Sequence, residues 1–162
     1  ETGESIPDAL VDKIIETKNY NSAYGHIRQL TFGLLDMAWY TLKELPQEST
    51  LEFENKATER LRVLPAVEGA CMSPTFSHIF QGGYAAGYYS YKWAEVLEAD
   101  AFSLFKENGI FDKTTAASFR DNILSKGNAE DAAVIYRKFR GHDPEPRALL
   151  VKLGIVEEQP AE

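Results

Sequence analysis

Residues 22–45 carry Ile27, Leu30, Phe32, Leu34, Leu35, Met37, Trp39 and Leu42. At about 100° per residue these side chains cover most of the circumference of a helix. A helix apolar nearly all round has to be surrounded, so it is expected at the centre of a larger body. Asn21 and Ser22 offer N-caps at its start, and Pro46 confines its end to Leu45. The neighbouring segments read as helical companions. Residues 7–19 mix apolar Leu10, Ile14 and Ile15 with polar Asp12, Lys13 and Glu16 in an amphipathic pattern, and residues 48–62 are polar and helix-favouring. Residues 63–74 hold two prolines and Gly69 and read as a loop. Helices are then expected over 85–108, ended by Gly109, and over 114–126, closed by Gly127. Two more are expected over 128–140, capped by Asn128 and stopped by Gly141, and over 147–153 before Gly154. No stretch shows the alternation of a strand. The class is all-α, a single helical domain over residues 1–162, with residues 157–162 expected to be a disordered tail.

Charge and motif content exclude several kinds of activity. The formal net charge is −8, which repels nucleic acid and anionic membrane surfaces. No apolar run is long enough to span a bilayer. Cys71 is the single cysteine and forms no internal disulfide; it reads as a small buried hydrophobe. No HExxH, GxSxG or phosphate-loop pattern occurs, and no cluster of His, Cys, Asp and Glu has ligand spacing, so no metal site is expected within these residues. His26 and His142 read as structural or exposed, and Glu44, Glu52, Glu54 and Glu59 as a solvated helix face.

Four of the eight tyrosines, Tyr84, Tyr88, Tyr89 and Tyr91, fall in one short stretch behind His78 and the pair Gly82-Gly83. If Tyr84 opens a helix, Tyr84, Tyr88 and Tyr91 lie within about 60° of one another. Tyr89 and Trp93 then point the opposite way, where aromatic bulk suits a core. Phenols and an imidazole converging on one spot are suitable donors to a developing oxyanion, or to the carbonyls of a bound peptide. The same residues also suit an aromatic core stripe with its hydroxyls at the surface, and spacing alone leaves both readings open.

The stretch "SHIFQGGYAAGYYSYKWAEVLEADAFS", residues 77–103, closely resembles the C-terminal part of the zinc oligopeptidases related to thimet oligopeptidase. It is most similar to their bacterial branch, that of oligopeptidase A and peptidyl-dipeptidase Dcp. "FRDNILSKGNAEDAAVIYRKFRG", "RALLVKLGI" and "RQLTFGLLDMAW" continue the resemblance over nearly the whole chain from about residue 20. The resemblance implies the helical C-terminal portion of a two-lobed, channel-containing metallopeptidase that hydrolyses short peptides in the cytoplasm. It implies zinc in the full-length enzyme, held by an HExxH helix and a downstream glutamate that lie outside this chain. By the same resemblance, Tyr91 and Tyr88 bind the scissile carbonyl and stabilise the oxyanion. His78 and Tyr84 position the peptide backbone, and Gly82-Gly83 form a loop that can move.

The chain begins Glu1-Thr2-Gly3 rather than with Met, and is expected to be a C-terminal fragment. Its partners would be short peptides and the missing N-terminal portion. Alone it is expected to be inactive, and either to dimerise through apolar helix faces that have lost their neighbours or to be only marginally stable. The competing class is a non-catalytic helical module that binds peptides or another protein through the same aromatic face.

Overall fold

A computed structural model describes residues 3–157, so the tail expected at 157–162 lies outside the described residues except for Glu157. All regular structure among the described residues is helical, as expected. The chain divides into two compact units, Glu1–Tyr91 and Lys92–Glu162.

In the first unit, α1 spans Asp8–Glu16, α2 Ser22–Tyr40, α3 Thr50–Thr58 and the single-turn α4 Ser77–Phe80. Helix α1 buries none of its residues, and its apolar Leu10, Ile14 and Ile15 are exposed. Helix α2 stops at Tyr40 rather than Leu45. The Thr41 amide and hydroxyl both donate to the Met37 carbonyl, the hydroxyl at 2.7 Å, and close the last turn early. Of the apolar circumference expected to be covered, only Phe32, Gly33, Leu35 and Asp36 are buried, while Leu30, Met37 and Tyr40 remain exposed. Ser49 and Glu52 form a reciprocal capping box at the start of α3.

Phe32 and Leu35 of α2 pack with Phe76, Ile79 and Tyr88, and Trp39, Ala57 and Met72 close around them. Leu35, Phe76 and Ile79 are almost fully enclosed, and burying each contributes about 1.5–3 kcal/mol. Two side-chain ties join α2 to the segment ahead of the tyrosines. The Tyr40 phenol donates to the Ile79 carbonyl, and the Trp39 indole donates to Ser73 Oγ at 3.0 Å.

Glu54 corrects the expectation of a solvated acidic face. Half-buried, it accepts from the Met72 amide at 2.8 Å, and from the Ser73 amide and hydroxyl at 2.7 Å each. Burial pushes its carboxyl up, but these bonds and that from Cys71 outweigh it and leave the group below its ordinary value. Cys71 is half-buried rather than a plain core residue; its thiol is raised by burial and by its hydrogen bond to Glu54.

In the second unit, α5 runs over Ser90–Asn108 (its first two residues belong to the first unit), α6 over Lys113–Phe119, α7 over Ala132–Arg140 and α8 over Arg147–Lys152. The helix expected over 114–126 changes at Arg120 into a wider π-type turn through Leu124. Asp131, not Asn128, caps α7: its carboxylate accepts from the Ala133 and Val134 amides at 2.9 and 3.2 Å. Arg137, Lys138 and Arg140 do occupy its last turn. Val96 and Ala99 pack with Leu149, and Phe105, Phe119 and Phe139 meet edge-on or tilted at 5.1–6.3 Å. Asp100, buried, takes a 2.5 Å hydrogen bond from the Tyr136 phenol, and the Arg140 Nε–H donates to its backbone carbonyl at 2.9 Å.

Candidate functional site

His78 sits in α4, whose last turn passes into the two glycines. They serve different purposes. A Cβ on Gly82 would lie 3.1 Å from both Cα and the carbonyl oxygen of His78, so a larger residue would crowd that backbone and require it to give by a few tenths of an ångström. Gly83 instead adopts φ +79°, a left-handed conformation that side chains disfavour. Together they fold the chain back, and the Tyr84 amide donates to the His78 carbonyl at 3.1 Å.

Tyr84 does not open a helix. Residues 85–89 form successive turns, with Ala86 left-handed at φ +53°, and α5 begins only at Ser90. That conformation costs an L-residue about 1–2 kcal/mol and requires outside support. The support is Asp36 of α2, which is fully buried and accepts from the Ala86 and Tyr88 amides at 2.9 Å each. Capture of these two N–H groups by a side chain, together with the left-handed residue, explains why the helix cannot start earlier.

Convergence of the donors is nevertheless as expected. The rings of Tyr84 and Tyr91 stack at 5.2 Å with 16° between planes, and Tyr88 lies 5.0 Å from Tyr91. His78 is 5.9 Å from Tyr84 and 5.8 Å from Tyr88. All four of His78, Tyr84, Tyr88 and Tyr91 thus meet in one cluster, through turns rather than through helical spacing.

The assignment of aromatic faces is reversed. Tyr88 is the core residue at 7% exposure, standing edge-on to Phe76 at 5.0 Å and Phe32 at 5.8 Å, whereas Tyr89 and Trp93 are 60% and 52% exposed. The segment therefore divides between core and surface. Tyr88 seals the core, and Tyr84, Tyr91 and His78 are exposed.

The Tyr91 phenol is held above its ordinary value of 10.0, first by its hydrogen bond with the Tyr84 phenol, then by loss of water. The negative potential of the neighbouring phenols adds to this. It stays a neutral O–H donor across the physiological range, the state needed to donate to a carbonyl oxygen or an oxyanion.

Asp36 and Phe76 are the contributors that residue spacing did not single out. A lone carboxylate within the apolar run of residues 32–39 was the available signal, because a buried charge is retained only with hydrogen-bonding partners.

The second unit contains a cavity of about 870 Å³ lined by Trp93, Phe102, Phe105, Phe119 and Tyr136 among others. Its walls are mainly apolar, and it holds none of the tyrosine-segment donors. The zinc implied by the resemblance finds no ligand set: among the described residues no three of His, Cys, Asp and Glu are grouped to hold a metal ion. Nor is any helix among them long and apolar enough to cross a membrane.

The family model described as "Peptidase family M3" matches residues 1–155. The chain belongs to peptidase family M3. Among M3 relatives, oligopeptidase A of Escherichia coli is 46% identical over 156 residues, 96% of this chain and 23% of that protein. Probable cytosolic oligopeptidase A of Arabidopsis thaliana is 38% identical, and dipeptidyl carboxypeptidase of Salmonella typhimurium 37%, each over the same shares. The chain therefore spans about a quarter of the length of the M3 relatives it matches.

Proposed function

We propose that this chain supplies the substrate-binding and oxyanion-stabilising donors of a cytoplasmic zinc metallopeptidase that hydrolyses short peptides. The observation that carries the reading is the convergence of Tyr84, Tyr88, Tyr91 and His78, with the Tyr91 phenol kept protonated. Membership of family M3 and the names of its relatives support peptide bonds as the target; the name of the plant relative supports the location.

In this reading Tyr91 and Tyr88 donate to the scissile carbonyl oxygen. As water adds to the carbonyl, that oxygen gains negative charge and becomes a better acceptor, so a fixed phenol binds the transition state more tightly than the ground state. His78 and Tyr84 hold the peptide backbone beside them, and the Gly82-Gly83 turn lets the main chain come close. The zinc, which would polarise the carbonyl and activate water when bound, belongs to residues outside this chain. No described residue group stands in for its ligands.

The test is Tyr91→Phe in the full-length protein. Loss of one preorganised donor is expected to lower kcat about 100-fold or more, with KM moved far less. An unchanged kcat would remove the oxyanion role of Tyr91.

A further inference from the structure

Every tyrosine of the cluster is placed by the turn over residues 84–91, and that turn does not hold itself. Its own main-chain bonds run from Gly87 N–H to the Tyr84 carbonyl, from Ser90 N–H to Gly87 and from Tyr91 N–H to Tyr88, at 2.9, 3.0 and 3.2 Å. The amides of Ala86 and Tyr88 are directed instead at the buried carboxylate of Asp36, one to each oxygen. The first belongs to the left-handed residue and the second to the tyrosine packed against the core. An apolar side chain would fill the space of Asp36 at lower desolvation cost. What only a carboxylate offers there is two fixed acceptors at once; an amide offers one acceptor and one donor. We propose that Asp36 is a positioning residue: by clamping the Ala86 and Tyr88 amides, it sets the phenols of Tyr88 and Tyr91 for catalysis without touching substrate. The inference rests on the donor reading of Tyr91 under Proposed function.

The experiment measures kcat and KM of the full-length protein bearing Asp36→Asn, Tyr91→Phe, or both. Asp36→Asn keeps the volume and removes one acceptor. It is expected to lower kcat about 10-fold or more, a loss of about 1.4 kcal/mol, with a smaller change in KM. Because Asp36 acts through the phenols, adding it to Tyr91→Phe is expected to lower kcat little further. Ala86→Gly, which removes the cost of the left-handed turn, is expected to restore part of the rate in the Asp36→Asn background. A thermal midpoint that falls while kcat is unchanged would overturn positioning in favour of a purely structural role. Losses that multiply in the double variant would also overturn it, while leaving the donor role of Tyr91 intact. An unchanged rate in Tyr91→Phe alone would instead bring down the donor reading, and this inference with it. If Asp36→Asn does not fold, amide exchange in the unsubstituted protein decides. Ala86 and Tyr88 are expected to be as protected as the middle of α2, and free exchange at both would refute the clamp.

Discussion

Glu54→Gln probes how the segment ahead of the tyrosines is anchored. One oxygen, Oε2, accepts from the Ser73 amide and hydroxyl at 2.7 Å and from Cys71 Sγ at 3.4 Å; the other, Oε1, accepts from the Met72 amide at 2.8 Å. The less costly orientation of glutamine puts its oxygen where Oε2 was, so that the amide nitrogen faces the Met72 N–H. One charge-assisted bond is then lost, and the others become neutral. Hydrogen bonds to charged groups contribute about 1.5–3 kcal/mol each, so a partly exposed site is expected to lose about 2 kcal/mol. Amide exchange at Met72 and Ser73 reads this locally and is expected to quicken about 30-fold. The folded-state carboxyl of Glu54 lies below its ordinary value near 4.5. Its contribution is therefore complete above that pH and is lost as pH falls through the lower folded value. Acidification below about 4.5 should thus lower the protection of these amides, relative to their intrinsic rates at each pH, in the parent and leave that of the variant unmoved. Protection within about threefold of the parent at neutral pH would refute the anchoring.

In the second unit, Tyr136→Phe strips buried Asp100 of its phenol donor and should cost about 1–3 kcal/mol in thermal or urea unfolding; an unshifted midpoint would refute it. Burial first, then the hydrogen bond and charge of Asp100, hold the Tyr136 phenol above its ordinary value. The parent's advantage should therefore be complete below pH about 10 and shrink as pH rises further. The 162-residue chain given zinc and a fluorogenic short peptide is expected to show no turnover, and chelator-sensitive hydrolysis would refute that.

Helix existence was legible because it depends on local pattern. Residues 8–16, 22–40 and 147–152 adopt the helices that their apolar spacing and flanking prolines indicate. Ends were less legible where a side chain intercepts the backbone. Asp131 takes the two amides that would otherwise join a longer α7, and Asp36, fifty residues before Ala86, takes those that would have let α5 begin near Tyr84. Such a capture is a tertiary event, and no local propensity records it. Helical spacing indicated the aromatic cluster, but turns rather than a helix assemble it. His78, Tyr84, Tyr88 and Tyr91 meet because two glycines reverse the chain and a left-handed alanine turns it again. The same turns put Tyr88 inward and Tyr89 outward, the opposite of what a continuous helix gives.

The phenol cluster is inherited in two pieces. Residues 77–91 carry the rings, but the floor beneath them is Phe32 and the carboxylate that holds their turn is Asp36, both on a helix far earlier in the chain. A graft of the tyrosine motif onto another helical scaffold would bring its aromatic rings without their orientation unless that stretch of α2 came too. Conversely, variation along α2 offers a route to shift those rings while every residue of the motif itself stays unchanged.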